Sequence, residues 1–151
     1  FVKESVLVDF DVAEGGTINK KLTINYSNPY PPSDCNLERG NLCLNAILRD
    51  WIRIYVPLGS ELLESQGSEV KLTTYEELGK TVFEGFLTVR PQGVATFTIS
   101  YTLPFKLNSG VLPVLIQKQP GTHDNEYTIV VNGEKREEFP LLADKQLKIN
   151  L

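Results

Sequence analysis

Four side chains on one short stretch have the types and spacing of a binding face. Arg49, Trp51, Arg53 and Tyr55 fall on alternate positions, with Ile52, Ile54 and Val56 interleaved or following. On an extended strand the period of two sends these sets to opposite sides. Aromatic rings interleaved with guanidinium groups make a platform for sugar rings or for a protein partner. The same residues also fit a second core layer, with Trp51 and Tyr55 covered and the Arg stems lying across them. The two readings differ in what Trp51→Ala does. A buried ring lost to alanine costs about 3–5 kcal/mol, whereas an exposed one leaves folding nearly intact.

Cys35 and Cys43 are the only cysteines, in the polar stretch Ser33-Asp34-Cys35-Asn36-Leu37-Glu38-Arg39-Gly40-Asn41-Leu42-Cys43. Gly40-Asn41 lets the chain reverse and brings the two within bridging range. A loop-stapling disulfide is expected, and with it an oxidising, extracytoplasmic compartment. The alternative is two separate thiols in a cytoplasmic protein. A metal centre would need two further ligands, and the single histidine, His123, is far away in sequence. No metal and no other cofactor is expected.

Catalysis needs a nucleophile or an acid–base pair oriented in a cleft. His123 lies in Pro120-Gly121-Thr122-His123-Asp124-Asn125-Glu126, a turn-like loop where neighbouring His and Asp side chains do not face one another. The chain has no Gly-x-Ser-x-Gly elbow and no His-Glu-x-x-His pair, and Gly15-Gly16 lacks the Lys-Ser/Thr of a phosphate loop. Asp124, Asn125 and Glu126 are oxygen donors of the kind calcium takes, without the spacing of an EF-hand loop. Glu76-Glu77 and the charged run 134–138 contain paired acids. Cutting a glycosidic bond would require such acids to sit roughly 5–9 Å apart across a sugar. The run 134–138 reads instead as a solvated turn. Lys20, Lys21, Asn132 and Asn150 supply the residue types of an internal Lys–Asn isopeptide bond, with nothing to bring them together. A non-catalytic domain is expected.

The elements that would position these residues are strands. Val6, Val8, Phe10 and Val12 are separated by Leu7, Asp9 and Asp11, which leaves one face apolar. Ile18, Leu22, Ile24 and Tyr26 are spaced likewise, with Lys20 the exception on the apolar side. Phe97, Ile99, Tyr101 and Leu103 repeat the pattern, as do Tyr127, Ile129 and Val131. Alternation of this kind fits half-buried antiparallel strands. Glu14-Gly15-Gly16 and Pro91-Gln92-Gly93 read as hairpins, the second joining the runs 82–89 and 94–103, and Asn132-Gly133 as a type I′ turn. Pro29, Pro31 and Pro32 mark the long loop that holds the cysteines. One helical turn is expected near Tyr75-Glu76-Glu77-Leu78 and a shorter one at 141–145. Whether residues 146–151 close a sheet edge is left open. Eight or nine short strands separated by turns predict an all-β chain, an antiparallel two-layer β-sandwich with Ig-like architecture. The immunoglobulin pattern of an inter-sheet cysteine pair around a core Trp is absent.

The 151 residues, 41% hydrophobic and 23% charged, suit one domain with a sizeable core, spanning 1–151. A mildly acidic net charge of -4 spread along the chain argues against nucleic acid as a partner. No apolar run is long enough for a membrane helix, so no membrane insertion by this stretch is expected. The chain starts at Phe1 and contains no Met, so it is expected to be a domain excised from a longer protein.

Four further stretches, in order, carry a resemblance. They are Arg49-Asp50-Trp51-Ile52-Arg53-Ile54-Tyr55-Val56-Pro57-Leu58-Gly59-Ser60 and Glu77-Leu78-Gly79-Lys80-Thr81-Val82-Phe83-Glu84-Gly85-Phe86, followed by Ser100-Tyr101-Thr102-Leu103-Pro104-Phe105 and Leu115-Ile116-Gln117-Lys118-Gln119-Pro120-Gly121-Thr122. Together they resemble, over about residues 17–130, the C-terminal part of the bacterial domain-of-unknown-function family number 4012. The resemblance implies an extracytoplasmic domain held by an N-terminal membrane segment, associated with cell-surface polysaccharide. It carries over no catalytic residue, and the cysteine loop, 33–45, looks like an insertion against the family pattern. The expected role is an interaction or spacer module of a cell-envelope protein, with cell-wall polysaccharide or another envelope protein as partner. The alternatives are a carbohydrate-binding or polysaccharide-processing accessory domain, and an appendage to a hydrolase whose active site lies upstream.

Overall fold

Wherever the sequence alternates the chain is extended, and with two strands that do not alternate it forms eleven in all. The computed structural model describes all of residues 1–151. The strands are β1 (Lys3–Val12), β2 (Thr17–Asn28), β3 (Leu48–Pro57), β4 (Glu61–Gln66), β5 (Thr73–Glu77), β6 (Lys80–Val89), β7 (Gly93–Lys106), β8 (Val111–Ile116), β9 (Glu126–Val131), β10 (Glu134–Pro140) and β11 (Lys145–Asn150). The only helical turn is of the 3-10 type, at Leu37–Arg39. No helix is long and apolar enough to cross a membrane.

Six strands form one sheet in the order β10-β9-β1-β2-β7-β4. All its pairs are antiparallel except β1 with β9. Two smaller antiparallel sheets, β3-β6-β5 and β8-β11, pack on one face of it. The result is a β-sandwich whose second layer comes in two pieces. The apolar positions read from the sequence meet between the layers. Val8, Ile18, Phe97, Ile99, Tyr101, Ile129 and Val131 are at most 2% exposed, against Phe83, Leu87 and Leu112 from the smaller sheets. Burying each such side chain contributes roughly 1.5–3 kcal/mol. The opposite face of the large sheet is wet and hydroxyl-rich. There Thr96 and Thr102 donate to Asn25 and Asn19 at 2.9 and 2.8 Å.

Turn chemistry is borne out in two places. β1 and β2 form the hairpin expected at Glu14-Gly15-Gly16. Gly16 has φ 77° and faces the Leu107 carbonyl so closely that a side chain there would collide with it. Asn132 and Gly133 have φ 50° and 79°, both left-handed as a type I′ turn requires, and they join β9 to β10.

Several expectations are corrected. Pro91-Gln92-Gly93 does turn the chain, with the Gly93 N–H on the Arg90 carbonyl at 3.0 Å. It does not make a hairpin, however, because β6 belongs to the three-stranded sheet and β7 to the large one. Both strands are apolar enough to be central, so each pairs within its own layer. Tyr75-Glu76-Glu77-Leu78 is not helical. Residues 73–77 are a strand, and Leu78-Gly79, with φ 52° and 68°, closes a tight hairpin to β6. The expected helical turn at 141–145 is absent: residues 141–144 are a loop and Lys145 already begins β11, because Leu141 turns into the core with its N–H on the Asn125 carbonyl. The charged run 134–138 is solvated as expected but is part of strand β10. Eleven strands replace eight or nine, since β4 and β10 lack apolar alternation. Residues 145–150 do pair, antiparallel to β8.

Candidate functional site

The face of β3 read from the sequence is the outer face of the three-stranded sheet. Register fixes its neighbours. Trp51 lies opposite Phe86, Arg53 opposite Glu84 and Tyr55 opposite Val82 on β6. On the other side of β6, Tyr75 of β5 lies opposite Val82. Val82 is fully buried yet outside the main core cluster, because the two flanking tyrosines cover it.

Charges lock this surface. The Arg53 Nε donates to Glu84 Oε2 at 2.6 Å, and the Tyr75 hydroxyl donates to the same oxygen at 3.0 Å. The Tyr55 hydroxyl donates to Glu77 Oε2. The Arg53 hydrogen bond, with that from Tyr75, holds the Glu84 carboxyl below its ordinary range. The Glu77 hydrogen bond raises the Tyr55 hydroxyl. A carboxylate held ionised by two donors is a poor general acid at neutral pH.

Trp51 is the prominent feature. The residue is 61% exposed and its ring rests on Phe86, with centroids 5.1 Å apart and planes tilted by 52°. Arg49 and Arg53 are exposed beside it, and Tyr55 is 42% exposed. The core-layer reading of Trp51 and Tyr55 is therefore set aside: these rings face solvent. What remains is a fixed aromatic platform, flanked by two guanidinium groups, of a kind that stacks on flat apolar surfaces.

Cys35 and Cys43 are disulfide-bonded with Cα atoms 4.3 Å apart. The base of their loop is held by a buried amide pair. Asn28 Nδ2 donates to Asn45 Oδ1 at 2.7 Å, and Asn45 Nδ2 donates to the Pro31 carbonyl at 2.8 Å. The remaining candidates are scattered. His123 is an exposed loop residue whose carbonyl accepts from Lys118 Nζ at 3.3 Å. The Asn125 side chain donates to Glu4 rather than facing outward with Asp124. No three His, Cys, Asp or Glu side chains gather where they would hold a metal ion. Lys20 and Lys21 make no hydrogen bond with Asn132 or Asn150; the Asn132 side chain accepts from the Val12 N–H at 2.8 Å.

Sequence reading missed Glu84, Phe86, Tyr75 and Glu77 as partners of the β3 face. The signal was present in part. In the run 82–89, Val82, Glu84, Phe86 and Thr88 alternate with Phe83, Gly85, Leu87 and Val89, giving β6 a second, mixed face. It also missed Glu4, Tyr26 and Asp50, which meet at one end of the sandwich.

No protein-family model matches the sequence, and no curated protein does. Among solved structures, a mutant of the M1 zinc metallopeptidase from Deinococcus radiodurans, bound to a Tyr-Ser-Ala substrate, aligns over 99% of this chain at 11% identity with a TM-score of 0.41. The M1 zinc metallopeptidase from the same organism without that mutation aligns at 10% identity, also with a TM-score of 0.41. This chain spans 39% and 38% of the length of those two chains.

Proposed function

We propose that this chain is a non-catalytic, extracytoplasmic interaction module of a bacterial cell-envelope protein, and that its contact surface is the outer face of β3-β6-β5. The observation that carries this reading is Trp51, a residue 61% exposed whose ring is fixed from below by Phe86. Exposed aromatics of this kind, ringed by Arg, mark sites of recognition more than of stability. The Cys35–Cys43 bridge supports an oxidising compartment. The resemblance to family 4012 supports a bacterial envelope setting, with an anchor in an N-terminal membrane segment outside this chain. In the simplest form of the proposal the module engages another envelope protein or spaces the anchored protein from the cell surface.

A second reading makes the ligand a cell-wall polysaccharide, with the domain an accessory to polysaccharide processing. It is favoured by the pairing of an exposed indole with the fixed Arg53–Glu84–Tyr75 network, which offers a stacking surface and hydroxyl partners side by side. A thermal-shift screen against purified wall polysaccharides and peptidoglycan fragments separates the two. A ligand at about 100 times its Kd stabilises a fold by roughly 2.7 kcal/mol. A shift lost in Trp51→Ala assigns the face to glycans. A flat response at millimolar glycan leaves the protein-partner or spacer role. Activity in a longer protein but not in this chain would favour an appendage to an upstream hydrolase.

A further inference from the structure

The layer that covers the large sheet is interrupted. β3 is paired on one side only, with β6, and β8 on one side only, with β11. A cleft of about 1080 Å3 is bordered by every residue from 50 to 57 and every residue from 112 to 120. A strand that borders a cleft with consecutive residues presents its edge, because a face would contribute only alternate ones. The free edges of β3 and β8 thus flank one opening, with Val6, Val8, Leu22, Ile24 and Tyr101 along its floor.

The edge of β3, though it carries Arg49, Asp50 and Arg53, is not broken by a bulge. The outer strands of the large sheet carry the usual protections: β10 has a register shift between Lys135 and Glu137 within a run of charges, and β4 has one between Leu62 and Glu64. β3 keeps an unbroken register from Leu48 to Pro57. On β8, Pro113 lacks an N–H, so β3 is the edge able to supply a regular ladder.

The cleft is polar at its ends and apolar between. At one end lies Lys20, its Nζ 5.3 Å from the Phe10 ring centroid and 5.8 Å from that of Tyr101, with no carboxylate partner. At the other end the Tyr26 hydroxyl donates to Asp50 at 3.2 Å and Asn125 donates to Glu4 at 2.8 Å. Lys20 and Tyr26 share a face of β2 six residues apart, a span of about 20 Å. β3 begins at the acidic end, where Asp50 meets Tyr26, and runs toward the lysine end, where Gly59 approaches Pro104.

We propose that this cleft is a strand-acceptor site: an extended segment of a partner protein, acidic at its start, apolar on alternate residues and basic at its end, adds antiparallel to the free edge of β3. The antiparallel direction places the acidic residue at Lys20 and the basic residue at Glu4 and Asp50. Backbone hydrogen bonds would supply affinity, and the inward side chains would supply selectivity. The segment would bridge the two halves of the layer and give Lys20 the partner it lacks.

The test uses this protein and a capped peptide, Glu-Thr-Val-Thr-Val-Thr-Lys, whose alternate residues place Glu, two Val and Lys on the inward side. Binding is followed by NMR titration and amide exchange. The expected result is saturable binding with slowed exchange at the alternate amides of residues 50–56 that face the free edge of β3. A peptide with the two end charges exchanged should bind at least tenfold more weakly. One N-methylated on alternate residues along the β3 side should not bind. Three outcomes overturn the proposal: no binding at millimolar peptide, perturbations confined to the side chains of Trp51 and Tyr55 or to β4 and β10, or equal affinity for the N-methylated peptide. Equal affinity for the charge-exchanged peptide overturns the assigned polarity. The peptides alone carry these comparisons, so no variant has to fold.

Discussion

Trp51 and Phe86 face one another across β3 and β6 on the wet side of the sheet, their ring centroids 5.1 Å apart. An apolar pair in this position contributes to the core only at its base. Trp51→Ala should therefore lower stability by about 1 kcal/mol, the worth of an aromatic pair, rather than the roughly 3–5 kcal/mol of a buried ring. Urea denaturation of the two proteins checks this. A loss above about 3 kcal/mol would mean that the ring is structural and that the outer face is not a free recognition surface.

The disulfide makes a simple prediction. Both cysteines are bonded, so the denatured, unreduced protein should show no reactive thiol and should weigh two hydrogens less than the reduced form. The 3-10 turn between them contributes no buried residue. Reduction should therefore loosen the loop while leaving the near-ultraviolet signal of the core in place. Collapse of that signal on reduction would show that the bridge supports the sandwich itself.

Asn45 is 3% exposed and its amide makes hydrogen bonds to Asn28 and to the Pro31 carbonyl. Asn45→Ala would strand the Asn28 amide in a dry site. A loss of about 1–3 kcal/mol is expected, the cost of an unsatisfied buried polar group. Chemical denaturation measures it, and a neutral effect would place water, or a shifted loop, where the amide now sits.

These residues also mark how far the sequence could be read. The period of two in 6–12, 18–26 and 97–103 was enough to identify strands and their dry faces, because one-sided burial imposes alternation. It could not say which strands share a sheet. Pro91-Gln92-Gly93 has the chemistry of a turn, and turn chemistry is the same whether the chain returns to its own layer or crosses to the other. The exposure of Trp51 was equally out of reach, since a mixed face looks alike whether water or another element covers it. Asn45 gave no signal at all, because its burial depends on a proline-rich loop whose path is set by distant contacts.

The hairpin at Leu78-Gly79 shows local chemistry overruled. Leu78 has φ 52° and is 87% exposed, so it carries a conformational penalty without gaining burial. Leu78→Asn should raise stability by several tenths of a kcal/mol, since Asn tolerates the left-handed region and Asn-Gly is the preferred type I′ pair. A rise in melting temperature is the expected readout. A fall would give the exposed leucine a contact that the isolated chain does not display.

Lys20 ties the cleft to pH. Burial lowers its ammonium from 10.5 to about 8. Between those values the unfolded chain holds the proton that the folded chain has lost, so the unfolded state binds more protons and stability rises with pH. Tyr26 and Tyr101 act in the opposite sense, because burial raises both hydroxyls above their ordinary 10.0. Above about pH 10 the unfolded chain releases protons that the folded chain keeps, and stability falls again. Stability from these groups should therefore climb from about pH 8 and turn over near 10. Lys20→Met removes the rising limb and relieves the half-buried charge at neutral pH. The variant's advantage at pH 7 should shrink by about 2–3 kcal/mol by pH 10, because each tenfold change in proton affinity is worth about 1.36 kcal/mol. Urea midpoints of both proteins, measured at intervals from neutral pH to about pH 10, test this. A difference that stays constant across that range would mean that Lys20 is solvated like any surface lysine, and it would remove the half-buried cation from the cleft.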